Sequence, residues 1–374
     1  MKIEMVDLKG QYIRIQQEVD EAVLSAIREA KFINGPQVAA FTDELSQYLD
    51  GAQVIPCANG TDALQIAMMA LDLKPGDEVI VPSFTYVATA EVIGLLQLKP
   101  VMVDVDPNSF NITADTIRTA ITSKTKAIVP VHLFGQCADM EPILALAKEK
   151  GLFVIEDTAQ AIGASYTFKD GTKMKAGTMG HIGCTSFFPS KNLGCYGDGG
   201  AMYTKDSNLA ERLRMIANHG QIKKYVHKYI GVNSRLDTVQ AAILRIKLRY
   251  LDTYSAARNA AASKYDQLLA GIAGLVTPVR QANSTHVFHQ YTMKVTGRRR
   301  DSLKNHLEQA GIPAMIYYPV PLNEQEAYQA IGRVEGDLSN TQDLCASVLS
   351  IPMHTELTDE QIKLITDTII AFFK

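Results

Sequence analysis

The chain has 374 residues, 47% of them hydrophobic, which exceeds the size at which one hydrophobic core usually stops growing and predicts two domains. Its 37 basic and 40 acidic side chains, a formal net charge of -3, exclude the electrostatic footprint of a nucleic-acid or anionic-membrane binder. No stretch approaches a membrane span, the first seven residues lack the apolar core of a signal peptide, and the five scattered cysteines and eight histidines show no zinc or redox-disulfide spacing, so a metal-free protein of the reducing cytoplasm is expected.

Between residues 50 and 205 short apolar runs alternate with amphipathic segments, the pattern of strands and crossover helices in a mostly parallel sheet. Seven runs are predicted strands, at 54–57, 78–81, 101–104, 127–131, 153–155, 185–188 and 201–203. A glycine-rich stretch, not a helix, separates the last two, so an antiparallel pair is expected there.

The first run leads into Cys57-Ala58-Asn59-Gly60-Thr61-Asp62-Ala63-Leu64, a tight polar turn that opens a helix. Unpaired amides at a helix start favour an anion, and Gly60 lets the backbone approach it. A helix capped by Asn59 or Thr61 is the alternative reading. The fifth run ends in Glu156-Asp157-Thr158-Ala159-Gln160, which puts Asp157 at a strand's carboxyl end, where open α/β sheets bind ligands; an ordinary helix cap is again the alternative. The sixth run ends in Phe188-Pro189-Ser190-Lys191, before the glycine-rich Gly197-Asp198-Gly199-Gly200. A lysine partly buried in such a turn loses pKa and gains nucleophilicity, whereas a surface lysine would simply snorkel from a loop. Together an anion cradle, a carboxylate and a lysine amine are what pyridoxal phosphate (PLP) demands of a protein.

From Arg235 to about Leu269 an Ala-, Leu- and Arg-rich run without proline predicts one long helix, expected to link the domains. A strand at 291–295 and helices near 300–310, 338–349 and 359–373 complete a smaller α/β unit. The expected division is 1–250 for the large domain and 251–374 for the small one. Arg298-Arg299-Arg300 reads as a solvated loop.

The Asn59–Leu64 turn, the Glu156–Gln160 segment, Ser186-Phe187-Phe188-Pro189-Ser190-Lys191 and Gly197-Asp198-Gly199-Gly200 resemble the motifs of the DegT/DnrJ/EryC1/StrS sugar aminotransferases, in matching order from about Val6 to Pro352. That resemblance implies a fold type I PLP-dependent transferase, with a large domain built on a mostly parallel seven-stranded sheet, working as a homodimer with shared active sites. By matching position, Lys191 bonds covalently to the cofactor, Asp157 pairs with its pyridine nitrogen, Gln160 meets its phenolic oxygen and Tyr86 stacks on its ring. Gly60, Thr61 and Ser186 hold the phosphate, and Asn233 completes that site from the partner subunit. Glutamate would donate the amino group and a nucleotide-linked keto-sugar would take it. A lysine at 191, where the related sugar dehydratases carry histidine, argues for transamination.

Four segments, at 57–65, 84–91, 194–198 and 233–237, most resemble the UDP-2-acetamido-2-deoxy-3-oxo-glucuronate aminotransferases of O-antigen lipopolysaccharide synthesis. A guanidinium fork suits a carboxylate, so Arg235 is a candidate for the uronate, with a structural salt bridge as its plainer role. Tyr317 and Tyr318 are further substrate candidates. Tyr317-Tyr318-Pro319 stands where that subgroup tends to have His-Tyr-Pro, which keeps 3-keto or 4-keto 6-deoxy sugars on dTDP, GDP or UDP open. A NAD-dependent oxidoreductase is excluded by the missing G-x-G-x-x-G turn. A non-catalytic PLP-binding regulator of the same fold is the remaining rival.

Overall fold

A computed structural model describes residues 2–374. Eight strands form the large sheet: β1 (Gln53–Cys57), β2 (Glu78–Pro82), β3 (Lys99–Val103), β4 (Thr125–Ile128), β5 (Phe153–Asp157), β6 (Ile182–Ser186), β7 (Gly200–Thr204) and β8 (Arg333–Val334), in the order β1-β7-β6-β5-β4-β2-β3-β8. Only β7 runs against the others, paired antiparallel to both β1 and β6. The seven expected strands are present. The eighth has only two residues, Arg333 and Val334, beside Val101 and Met102, and is too short to carry a periodicity.

Both faces of the sheet are covered, as a parallel sheet requires. Along β2, Val79 and Val81 join one buried cluster while Ile80 joins the cluster on the opposite face; Ile155 and Val154 divide the same way in β5. A continuous apolar run in the sequence is therefore two alternating faces, each packed.

The long helix spans Thr238–Leu268, with neither glycine nor proline inside it. It packs into two separate clusters. Near its start Ile243 and Ile246 pack with Ile15 and Val19 of the helix Leu8–Glu29, and near its end Ala261 and Tyr265 enter the core of the C-terminal unit. That unit has Tyr291–Val295 between Leu275–Val276 and Val348–Ile351, all antiparallel, with the helices Arg300–Gln309 and Asp359–Phe373. The two units are interleaved elsewhere as well: Ile3 packs in the C-terminal core, and β8 belongs to the large sheet.

All five cysteines are buried free thiols. No described helix is long and apolar enough to cross a membrane, and the described residues hold no group of three or more potential metal ligands.

Candidate active site

The carboxyl ends of β1, β2, β5 and β6 point to one side of the sheet, and the loops that follow them, with two segments from the C-terminal unit, enclose a cavity of about 810 Å³. Gly60, Thr61, Tyr86, Asp157, Gln160, Ser186, Lys191, Tyr317 and Tyr318 all line it. Residues 258 positions apart in sequence thus meet at one site.

After β1 the helix Gly60–Ala70 begins. Asn59 caps it, its Oδ1 accepting the Asp62 amide at 2.8 Å. Capping and anion binding coexist here, because the amides of Gly60 and Thr61 precede the helical hydrogen-bond ladder. Glycine at 60 is demanded by space: a Cβ there would lie 2.7 Å from Ser186 Cβ. Behind the turn, Ser234 Oγ accepts the Ala58 amide at 2.9 Å and donates to Asp62 Oδ2 at 2.6 Å.

Asp157 ends β5 almost fully buried. Thr89 Oγ1 donates to its Oδ2 at 3.0 Å and the Ala159 amide to its Oδ1 at 3.1 Å. Burial pushes its carboxyl above the usual carboxylate range, opposed by those two donors and by the charges of Lys191 and His132. Such a carboxyl gains most from a cationic N–H. Lys191 sits in the turn after β6, its backbone amide donating to Phe188 O at 2.8 Å, while its amine donates to no described protein group. Burial lowers it to about 8, with the nearby Asp157 resisting.

Gln160 Oε1 accepts the Phe134 amide at 2.8 Å and its Nε2 donates to the Tyr318 hydroxyl at 3.0 Å, which leaves one N–H free. Tyr86 is 56% exposed, its ring 6.3 Å from that of Tyr318. Burial raises the Tyr318 phenol, so it stays protonated at neutral pH. Tyr317 and Tyr318 also contact the large-domain core.

Asn233 and Arg235 do not line this cavity. Asn233 is exposed and bridges to Asn218; Arg235 is half-buried and forms no ion pair among the described residues. Thr85, Thr89, Phe134, Asp198 and His289 belong to the site or its support without being legible as such in the sequence. Thr89 lies in an apolar helix, Ala88–Leu95, and His289 beyond the long helix, so neither sits in a motif that announces it.

The residues fit PLP: a helix start with free amides shaped by a glycine that space demands, a buried carboxyl, and a lysine amine in the same cavity. The family model for the DegT/DnrJ/EryC1/StrS aminotransferases matches residues 13–370. The UDP-2-acetamido-2-deoxy-3-oxo-D-glucuronate aminotransferase of Pseudomonas aeruginosa is 46% identical, over 97% of this chain and 98% of its own. A pleiotropic regulatory protein of Geobacillus stearothermophilus is 43% identical, over 100% and 99%. The S. venezuelae DesV structure, in complex with a ketimine intermediate, superposes with a TM-score of 0.95 at 38% identity, covering 100% and 99%. The chain belongs to the DegT/DnrJ/EryC1/StrS aminotransferase family and is a PLP-dependent aminotransferase.

Proposed function

We propose that this enzyme moves an amino group from glutamate to C3 of a UDP-linked 2-acetamido-3-oxo-glucuronate, in the cytoplasm, for O-antigen or another cell-surface polysaccharide. The observation that carries the sugar is the 46% identity, over nearly the whole of both chains, to an enzyme named for that substrate.

Bound in the cavity, PLP supplies an aldehyde to bond amines and a ring that draws electrons from them. Lys191 holds the cofactor at rest. When free of the cofactor, the Lys191 amine would take the proton from glutamate's α-carbon as general base and, as general acid, deliver it to the cofactor's carbon instead, so that water can release 2-oxoglutarate and the amino group stays in the site. Asp157, steadied by Thr89 and Ala159, would pair with the ring nitrogen and keep it protonated. Gly60, Thr61 and Ser186 would hold the phosphate, Gln160 has a spare N–H to offer the ring oxygen, and Tyr86 would cover the ring face. Lys191 would serve the keto-sugar by the same proton transfers in reverse order after 2-oxoglutarate has left, which predicts ping-pong kinetics.

Lys191 is the only lysine or arginine among the residues that line the cavity, while Asp62, Asp157 and Asp198 all line it. Glutamate and a sugar diphosphate bring several negative charges, so cations have to arrive from elsewhere. A homodimer supplies them: the exposed stretch with Lys223, Lys224 and Lys228 leads into Asn233 and Arg235, and we assign these to the partner's site. Its Tyr225 and Ile230 are 82% and 88% exposed, as a segment that docks on a second copy would be. Arg235 would then fork onto the uronate carboxylate, beside Tyr317 and Tyr318.

The test is purified protein with glutamate against a panel of keto-sugar nucleotides. Amination of the UDP-3-oxo-uronate is expected. Amination only of 6-deoxy sugars on dTDP, GDP or UDP would favour the reading in which Tyr317 marks a different sugar. Glutamate is expected to bleach the cofactor absorbance, the opposite of what a non-catalytic PLP binder would show.

A further inference from the structure

Glu156 is completely buried, one residue before Asp157 on β5, and the mechanism above leaves it without a task. A carboxylate inside a core is costly unless its oxygens are met by donors, and a hydrocarbon side chain would carry no such cost. Four donors converge on this one. The Gly177 amide donates to Oε2 at 2.8 Å, the Met179 and Gly180 amides to Oε1 at 2.8 and 2.5 Å, and His132 Nε2 to Oε2 at 2.8 Å. The Ala138 amide donates to His132 Nδ1 at 3.1 Å, which places a ring proton on the nitrogen that faces Glu156. These ties lie where the ladder of the sheet gives out. Towards β6, β5 is paired as far as Asp157, beside Cys184; towards β4, regular pairing ends at Val154, beside Ile128, and Pro130 has no N–H with which to continue it. Past that point the Asp157 amide donates to Pro130 O at 2.9 Å and the Asp157 carbonyl accepts the His132 amide at 3.0 Å. His132 thus grips Asp157 by its main chain and Glu156 by its ring. Glu156 also fastens β5 to the turn 177–180 that leads into β6, packed so closely that a Cβ on Gly180 would lie 2.8 Å from Val154 O.

We propose that Glu156 is a positioning residue for Asp157: clamped by His132 and the turn 177–180, it fixes the end of β5 so that the Asp157 carboxyl meets the ring nitrogen of the cofactor. This rests on the reading of Asp157 as that nitrogen's partner. Neighbouring residues of a strand point to opposite faces, so Glu156 holds the strand from behind while Asp157 lines the cavity. Thr89 and the Ala159 amide set the rotation of the Asp157 carboxyl; Glu156 sets the backbone from which it projects. A shift of that backbone would misalign a charge-assisted hydrogen bond, whose strength depends on distance and direction.

The experiment compares, by absorbance titration of the cofactor-free protein, the binding of PLP with that of its 1-deaza analogue, in which CH replaces the ring nitrogen. The wild type should prefer PLP by about 10- to 100-fold, the worth of one charge-assisted hydrogen bond, and Asp157→Ala should erase that preference. Glu156→Gln, whose NH2 would face two of the four donors, should cut the preference about 10-fold while affinity for the analogue stays near the wild type. His132→Leu removes one donor and leaves the carboxylate; it should act in the same direction more weakly, and it carries the test if Glu156→Gln does not melt like a folded protein. In the loaded enzyme Glu156→Gln should lower kcat of the glutamate half-reaction about 10-fold, yet add nothing to the loss that Asp157→Ala already causes, as when one residue acts through another. A wild type that binds both compounds equally, or a preference that survives Asp157→Ala, overturns the reading of Asp157 and this inference with it. A preference lost in Asp157→Ala but kept in Glu156→Gln and His132→Leu overturns the role of Glu156 alone, as does an equal loss of affinity for both compounds, the mark of a merely structural residue.

Discussion

At the scale of single residues the site depends on a few side chains that nothing else can replace. In the proposed scheme Lys191→Ala removes both the covalent anchor and the proton carrier; turnover with glutamate should drop to background, while full activity would refute the scheme. Gly60→Ala places a methyl 2.7 Å from Ser186 Cβ, so the helix start has to shift. Its expected outcome is cofactor affinity weakened about 10-fold or more, measured by absorbance titration, with unfolding little changed because Gly60 is only half-buried. These residues were readable in the sequence because each stands in a local pattern, a strand end running into a turn. Thr89 was not, since its importance comes from meeting Asp157 across the fold.

At the scale of elements, the long helix contains a liability as well as a bridge. Lys247 is 1% exposed, its amine has no hydrogen-bond partner among the described residues, and its nearest compensation is the Tyr196 ring at 5.2 Å. Burial lowers it to about 8 from an ordinary 10.5. Below about pH 8 it is charged in both the folded and unfolded chain, and the cost of burying that charge is felt in full. Between about 8 and 10.5 the unfolded chain holds a proton the folded chain has shed, so stability rises with pH across that window. Lys247→Met should therefore stabilise the cofactor-free protein by about 1–3 kcal/mol at pH 7 and by much less at pH 10, read from denaturant unfolding at both pH values. The helix itself was legible, from a run free of proline and glycine. β8 was not, because two residues hold no period and their place beside β3 is set by the chain's return through the C-terminal unit.

For the whole molecule, the division of labour between two copies can be tested by mixing. Lys191→Ala and Arg235→Ala should each be nearly inactive alone. If Arg235 serves the partner's cavity, mixed dimers contain one site with both residues intact, and equal amounts unfolded and refolded together should recover about a quarter of wild-type activity. No recovery would place Arg235 in its own subunit's site or outside any. The sequence by itself determined the α/β class, the seven longer strands of the sheet, and the three motifs whose chemistry converges on PLP, because strand periodicity, helix caps and a lysine in a glycine-rich turn are local properties of the chain. It took the tertiary structure to show that Asn59 caps the helix while leaving the Gly60 and Thr61 amides outside its ladder, that Thr89 braces Asp157, and that Gln160 is held by Phe134 and Tyr318. Those relations exist only after residues far apart in sequence are brought within hydrogen-bond reach and removed from water, where an unpaired polar group is costly and a paired one is held fast.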